Sequence, residues 1–300
     1  MRMNPIARIA KRLPTVRTIK QHAAALNTAK HDAPPTETIE DKYLHLLKRS
    51  LTRFGLCNDY QHIPVPGLDR LLASRRLAIV RVLPPDSAAR IDGSLMHPSD
   101  AETMIGLTRL DHLQDCIVDV LNHDVPGDLI EAGVWRGGAT IFMRAVLEAR
   151  GDTERTVWVA DSFEGLPKPD AAAYPADAGD IHWTLDHLAV SLDEVKENFE
   201  RYGLLDQRVR FVKGWFKDTL LRAPIERLAI LRVDADMYGS TLEVFQSLYS
   251  KVSVGGYVII DDYGAVPGCS KAVDGFRAEN RITEEIKKID WTGVYWQKLG

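Results

Sequence analysis

Cysteine is scarce in this 300-residue chain: Cys57, Cys116 and Cys269 are far apart and odd in number. They form no C-x-x-C pair, which excludes a disulfide framework and a paired-cysteine metal or redox site. None sits in a recognisable nucleophile setting. This usage fits a reducing cytoplasm. The chain also lacks the long apolar run of a membrane span or a signal peptide, so no stable membrane insertion is expected. It has no internal repeat and no low-complexity tract. A surplus of positive charge is missing from the body. Residues 1–34 carry seven Lys or Arg against one acid, Asp32, and the remainder holds 31 basic and 41 acidic residues. Nucleic acid is therefore not an expected partner, because the body has no surplus of phosphate-neutralising charge.

What is present is an ordinary globular composition, 45% hydrophobic and 27% charged, with enough chain for a sizeable core. Pro34-Pro35 marks a boundary between a basic, flexible extension (1–35) and the main domain (36–300). In that domain, 36–120 reads as a helical cap and acceptor region and 121–300 as the core. EDKYLHLLKRSLTRFG has helical spacing and stops at Gly55. SDAETMIGLTRLDHLQDCIVDVLNH reads as one or two helices, opened by a Ser99–Glu102 capping box. From residue 127 strands and helices alternate: GDLIEAGV, ATIFMRAVLEAR, TVWVADS, SLDEVKENFERYGL, RVRFVKGW, RLAILRVDAD, TLEVFQSLYSKV and GYVIIDDY. That order predicts an α/β fold with a mostly parallel sheet and helices on both faces. GVYWQKL has the alternation of an added edge strand.

The strand ends carry the chemistry, since ligands of open α/β sheets sit outside them. Gly133, Gly137 and Gly138 follow the first strand, but without the G-x-G-x-x-G spacing of a dinucleotide site. Asp161 ends the next strand and suits ribose hydroxyls; alone it would equally cap a helix. Trp215 and Phe216 offer an aromatic face for a purine, and Asp218 a contact or a cap. Two further strands end on acids, Asp234 and Asp236 on one and Asp261-Asp262 on the other. Like charges crowd there only if something positive sits between them. Three carboxylates, Asp234, Asp261 and Asp262, suit a hard cation such as Mg²⁺. In a regular strand Asp261 and Asp262 point apart, so they converge only where strand gives way to loop.

Residues 99–298 resemble the macrocin O-methyltransferase family in TMIGLTRLD, IEAGVWRGGATIFMR, VWVADSFEGLP, DAGDIHW, VKGWFKDTL, LRVDADMYGST and VIIDDYGAVPGC. The resemblance implies a Rossmann-like class I methyltransferase fold with helical N-terminal additions, S-adenosylmethionine as donor, Mg²⁺, and a sugar or glycoside acceptor. By position it assigns Thr103, Met104, Glu131, Gly133, Asp161, Ser162, Trp215, Phe216 and Asp218 to the cofactor, and Asp234, Asp261 and Asp262 to the metal. Asp234 and His182 are candidate bases. A homo-oligomer is expected. A nicotinamide-dependent oxidoreductase is the alternative, disfavoured by the glycine spacing and the triple carboxylate.

Overall fold

The chain was studied as a computed structural model that describes residues 37–300, apart from 56–57, 76, 85 and 95–99. The basic extension, Cys57 and Ser99 lie outside the described residues. By contacts, Glu40–Gly300 forms one unit; of the other, Met1–Ile39, only residues 37–39 are described.

The apolar runs become strands β3 (Asp128–Ala132), β4 (Val157–Asp161), β5 (Val209–Lys213), β6 (Leu228–Val233) and β7 (Val252–Ile260). They pair in parallel in the order β5-β4-β3-β6-β7, so the order reverses between β3 and β6. The crevice at such a reversal is where open α/β sheets bind ligands. Strand β9 (Val294–Gln297) adds antiparallel to β7, and the two-residue β8 (Lys287–Lys288) lies beyond it. The GVYWQKL segment is thus next to the edge rather than on it. A separate hairpin, β1 (Asp59–His62) with β2 (Val80–Leu83), stands in the N-terminal region with short helices α2 (Asp69–Ser74) and α3 (Ser87–Asp92).

Alternation along the strands makes two cores. Leu129, Val157, Ile230 and Ile259 face α1 (Ile39–Leu51), α4 (Leu107–Asn122), α5 (Gly138–Ala149) and α6 (Leu192–Arg201). Ile130, Trp158, Leu231 and Ile260 face α8 (Tyr238–Leu248) and α9 (Pro267–Glu279). Helix α5 is buried from Gly138 to Leu147, its one charged residue there, Arg144, pairing with Asp206 and Glu148. The single-turn α7 (Phe216–Thr219) follows β5. The Ser191 cap of α6 forms, its hydroxyl accepting from Glu194 N–H at 3.2 Å.

The Ser99–Glu102 capping box does not open a helix. Helix α4 starts at Leu107 after Gly106, which makes no side-chain cap. Glu102 is buried, accepts from Arg53 at 2.5 Å and from Tyr202 at 3.0 Å, and lends its carbonyl to Gly138 N–H at 3.0 Å. Those long-range bonds hold it in a non-helical bend. Helix α1 likewise ends at Leu51, four residues before Gly55, where Thr52–Gly55 turns.

Candidate active site

The carboxyl ends of β3, β4, β5 and β6 surround a cavity of about 370 Å³. Among the residues expected from sequence, Met104, Gly133, Asp161, Ser162, Trp215, Phe216 and Asp234 line it. Gly133 sits at φ +90°, and a Cβ there would lie 1.7 Å from the Asp234 carbonyl oxygen. Only glycine lets β3 turn so close to β6. Asp161 holds that turn from the next strand. It accepts from Val134 N–H at 2.8 Å and from Phe163 N–H at 2.8 Å. Burial raises its carboxyl, and these N–H groups pull it back.

Thr103, Glu131, Asp218, His182, Asp261 and Asp262 are not on the cavity lining. Thr103 is buried and accepts from Ile105 N–H at 3.3 Å. Asp218 lies within α7. Glu131 is buried against Arg232, which donates to its Oε1. Burial pushes the Glu131 carboxyl up to about 7, against the pull of Arg232.

Strand β7 ends at Ile260, so Asp261 and Asp262 both sit on the turn. One oxygen from each of Asp234, Asp261 and Asp262 lies within 4.8 Å of the others. Part of the expected positive charge is already supplied by the protein. Arg109 donates to Asp261 Oδ2, and Arg232 donates to Asp261 Oδ1 and, at 2.9 Å, to Asp234 Oδ2. Burial opposes ionisation of Asp261, yet the two guanidiniums hold it below the usual carboxylate range. Asp262 has no such help. Burial and the charges of Asp236, Asp234 and Asp261 raise it well above that range, and Asp234 is also raised by burial and Asp261.

Sequence reasoning gave Asp236 no site role. It lines the cavity with φ +52°, and its N–H donates to Asp262 Oδ2 at 3.1 Å. Burial pushes its carboxyl up to about 6, while the His182 charge pulls it down. His182 Nδ1 in turn pairs with Asp180 at 2.9 Å. Tyr174, Asp177 and Glu243 also line the cavity. Two of these could have been found: Asp236 shares D-A-D with Asp234, and Asp180 lies two residues before His182. The others come from an aperiodic loop and a helix face that carry no ligand signal.

Residues 40–298 match the family described as Macrocin-O-methyltransferase (TylF). The chain belongs to the macrocin O-methyltransferase family. It is an O-methyltransferase, and its fold implies S-adenosylmethionine as donor. A relative from Streptomyces olivaceus, 8-demethyl-8-(2,3-dimethoxy-alpha-L-rhamnosyl)-tetracenomycin-C 4'-O-methyltransferase, is 48% identical over 263 residues, covering 87% of this chain and 94% of its own. Mycinamicin III 3''-O-methyltransferase from Micromonospora griseorubida is 46% identical over 259 residues, covering 85% and 96%. Among solved structures, the O-methyltransferase NovP superposes with a TM-score of 0.76 at 44% identity, covering 87% of this chain and all of that one. Family membership settles methyl transfer over the hydride-transfer alternative.

The carboxylates of this methyltransferase fit a small hard cation in donor type. Asp234, Asp261 and Asp262, with one oxygen each within 4.8 Å of the others, are the residues that would hold it. No described helix is long and apolar enough to cross a membrane.

Proposed function

We propose that this O-methyltransferase acts on a sugar hydroxyl of a glycosylated natural product, assisted by Mg²⁺ held by Asp234, Asp261 and Asp262. The observation that carries the reading is one shared wall. The cavity lined by Asp161, Trp215 and Phe216 ends on Asp234 and Asp236, beside the carboxylate cluster. Two relatives are named for acting at different sugar positions, 4' and 3'', so the glycoside class carries over and the position does not.

In this reading Gly133 and Glu131 serve the methionine end of the donor. Asp161 and Ser162 hold the ribose, and Trp215 and Phe216 the adenine; Asp218, off the lining, is assigned to the adenine by its family position alone. Thr103 and Met104 close the site from the N-terminal segment. When bound, S-adenosylmethionine supplies an electrophilic methyl carbon, and Mg²⁺ a charge that lowers the pKa of the acceptor hydroxyl. The protein's own task is to orient that hydroxyl and remove its proton. Asp236 accepts the proton at its carboxylate. Both it and Asp234 face the cavity, but Asp234 is already engaged by Arg232. His182, held by Asp180 and close enough for its charge to be felt at Asp236, is the next acceptor in this reading.

Residues 36–120 are taken as the acceptor cap, with Met104 reaching the cavity, and 121–300 as the catalytic core. A cytoplasmic setting is supported by Cys116 and Cys269, both free and buried. A homo-oligomer is supported by Tyr60, Val80 and Val82, apolar side chains exposed on the β1–β2 hairpin.

The test is turnover of a rhamnosylated polyketide acceptor with S-adenosylmethionine. Activity should vanish in EDTA and return with Mg²⁺; full activity in chelator overturns the metal role. Asp236→Asn should lower kcat by about 10²- to 10⁴-fold. Affinity for S-adenosylhomocysteine should stay unchanged. Equal loss of both would make Asp236 a binding residue.

A further inference from the structure

Strand β6 is buried at all six positions, yet its fifth residue is Arg232. A buried guanidinium costs several kcal/mol of desolvation, and apolar residues of like size usually serve a fold as well or better. The position therefore calls for a use beyond stability. In register, Arg232 lies beside Glu131 on β3 and Ile259 on β7. Two residues on from Arg232 and from Ile259, just past the ends of β6 and β7, stand Asp234 and Asp261. One guanidinium thus engages Glu131, Asp234 and Asp261 together. From the other side, Arg109 on α4 takes the second oxygen of Asp261 and also pairs with Asp290 at 2.8 Å.

We propose that Arg232 and Arg109 are positioning residues of the cation site, clamping Asp261 and tethering Asp234 so that their remaining lone pairs stay aimed at one point. The inference rests on reading Asp234, Asp261 and Asp262 as that site. The three carboxylates are held unequally. Asp261 has a guanidinium on each oxygen, Asp234 has one guanidinium, and the Asp262 carboxylate accepts, among the described residues, only the Asp236 N–H at 3.1 Å. Asp261 and Asp234 would meet an ion already oriented, and Asp262 is the least constrained of the three. Partners that orient ligands in this way typically change metal affinity by about 10- to 100-fold. Lysine cannot replace them. It keeps the charge but presents a point donor on a flexible stem, without the fork that addresses several carboxylates in fixed directions.

The experiment titrates Mn²⁺ into the full-length protein and reads free Mn²⁺ by electron paramagnetic resonance. Calorimetry with S-adenosylhomocysteine and thermal unfolding run alongside. Wild type should sequester Mn²⁺. Arg232→Lys and Arg109→Lys should bind it about 10- to 100-fold more weakly. Arg109→Lys, which touches no residue assigned to the donor, should keep S-adenosylhomocysteine affinity within about threefold. If Arg232→Lys does not fold, Arg109→Lys and Asp290→Asn carry the test, because Asp290 touches Arg109 and no candidate ligand. Wild type that ignores Mn²⁺ overturns the cation-site reading and this inference with it. Wild type that binds, with variants that bind equally well, overturns the positioning role alone. Parallel loss of Mn²⁺ and S-adenosylhomocysteine binding in Arg109→Lys shows a merely structural role and overturns it too.

Discussion

Asp177 caps Gly239 from 62 residues away, its carboxylate accepting the Gly239 N–H at 2.8 Å and the adjacent Tyr238 N–H at 2.7 Å. Helix α8 has no cap of its own, since Met237 precedes it and makes no side-chain bond. The charge of Asp177 therefore satisfies two of the N–H groups that a helix start leaves open, and complements its dipole. Tyr174 packs over the same turn, where a Cβ on Gly239 would lie 2.4 Å from its ring. The long loop between β4 and α6 is thus latched to α8 and forms one wall of the cavity.

Asp177→Ala should release that wall. Losing an N-cap costs about 1–2 kcal/mol. In a chain of this size that lowers Tm by roughly 2–8 °C. Limited proteolysis should then cut within residues 166–189 faster than in wild type. An unchanged digestion rate and Tm would show that the loop is held elsewhere.

Gly133→Ala tests the turn between β3 and α5. A side chain at φ +90° meets the Asp234 carbonyl, so backbone strain and overpacking act together. Their sum is about 2–6 kcal/mol. Urea unfolding should show that loss, with S-adenosylhomocysteine binding abolished in any protein that stays folded. A variant as stable as wild type would mean that the turn can open.

Much of this was legible because local pattern and tertiary demand agree. The β-branched runs of VWVA and YVII are strands because both faces of a parallel sheet are buried. Asp161, Asp234 and the Asp261-Asp262 pair stand at strand ends, where the topology must gather them. The misread elements have one cause, a local signal overruled at long range. Glu102 carries a capping-box signature but is taken by Arg53 and Tyr202. Arg232 looks like an interruption in LRVDAD until the register sets Glu131 and Asp261 around it. Arg109 is an ordinary helix residue in sequence. Its role arises only because α4 crosses the ends of β6 and β7.

His112 makes stability depend on pH. It packs on Tyr295 at 4.1 Å between ring centroids, beside Cys116 and within the field of Asp290. Burial lowers its pKa from 6.5 to about 4. Between those values the unfolded chain binds the extra proton. Its contribution is therefore complete above pH 6.5 and is lost as pH falls towards 4, by roughly 1–3 kcal/mol. His112→Phe keeps the tilted ring contact with Tyr295 and removes the titration. Comparing urea unfolding at pH 7.5 and pH 5, the variant should lose less stability than wild type. Equal losses would put the acid sensitivity elsewhere.

Asp261 and Asp262 are neighbours with opposite expected mutational effects. Asp261→Asn leaves Arg109 and Arg232 buried against a neutral amide whose NH₂ group faces one of them. Breaking a buried ion pair from one side costs about 3–5 kcal/mol. Asp262→Asn removes a carboxylate that burial and three like charges already disfavour, and the Asn carbonyl can still accept from Asp236 N–H. Its stability should match wild type or exceed it by about 1 kcal/mol. Both variants should lose the response to Mg²⁺. Denaturant melts separate the cases: a large loss for Asp261→Asn and none for Asp262→Asn identifies Asp261 as a carboxylate shared between fold and site. Equal losses would show that the guanidinium pairs do not set the difference.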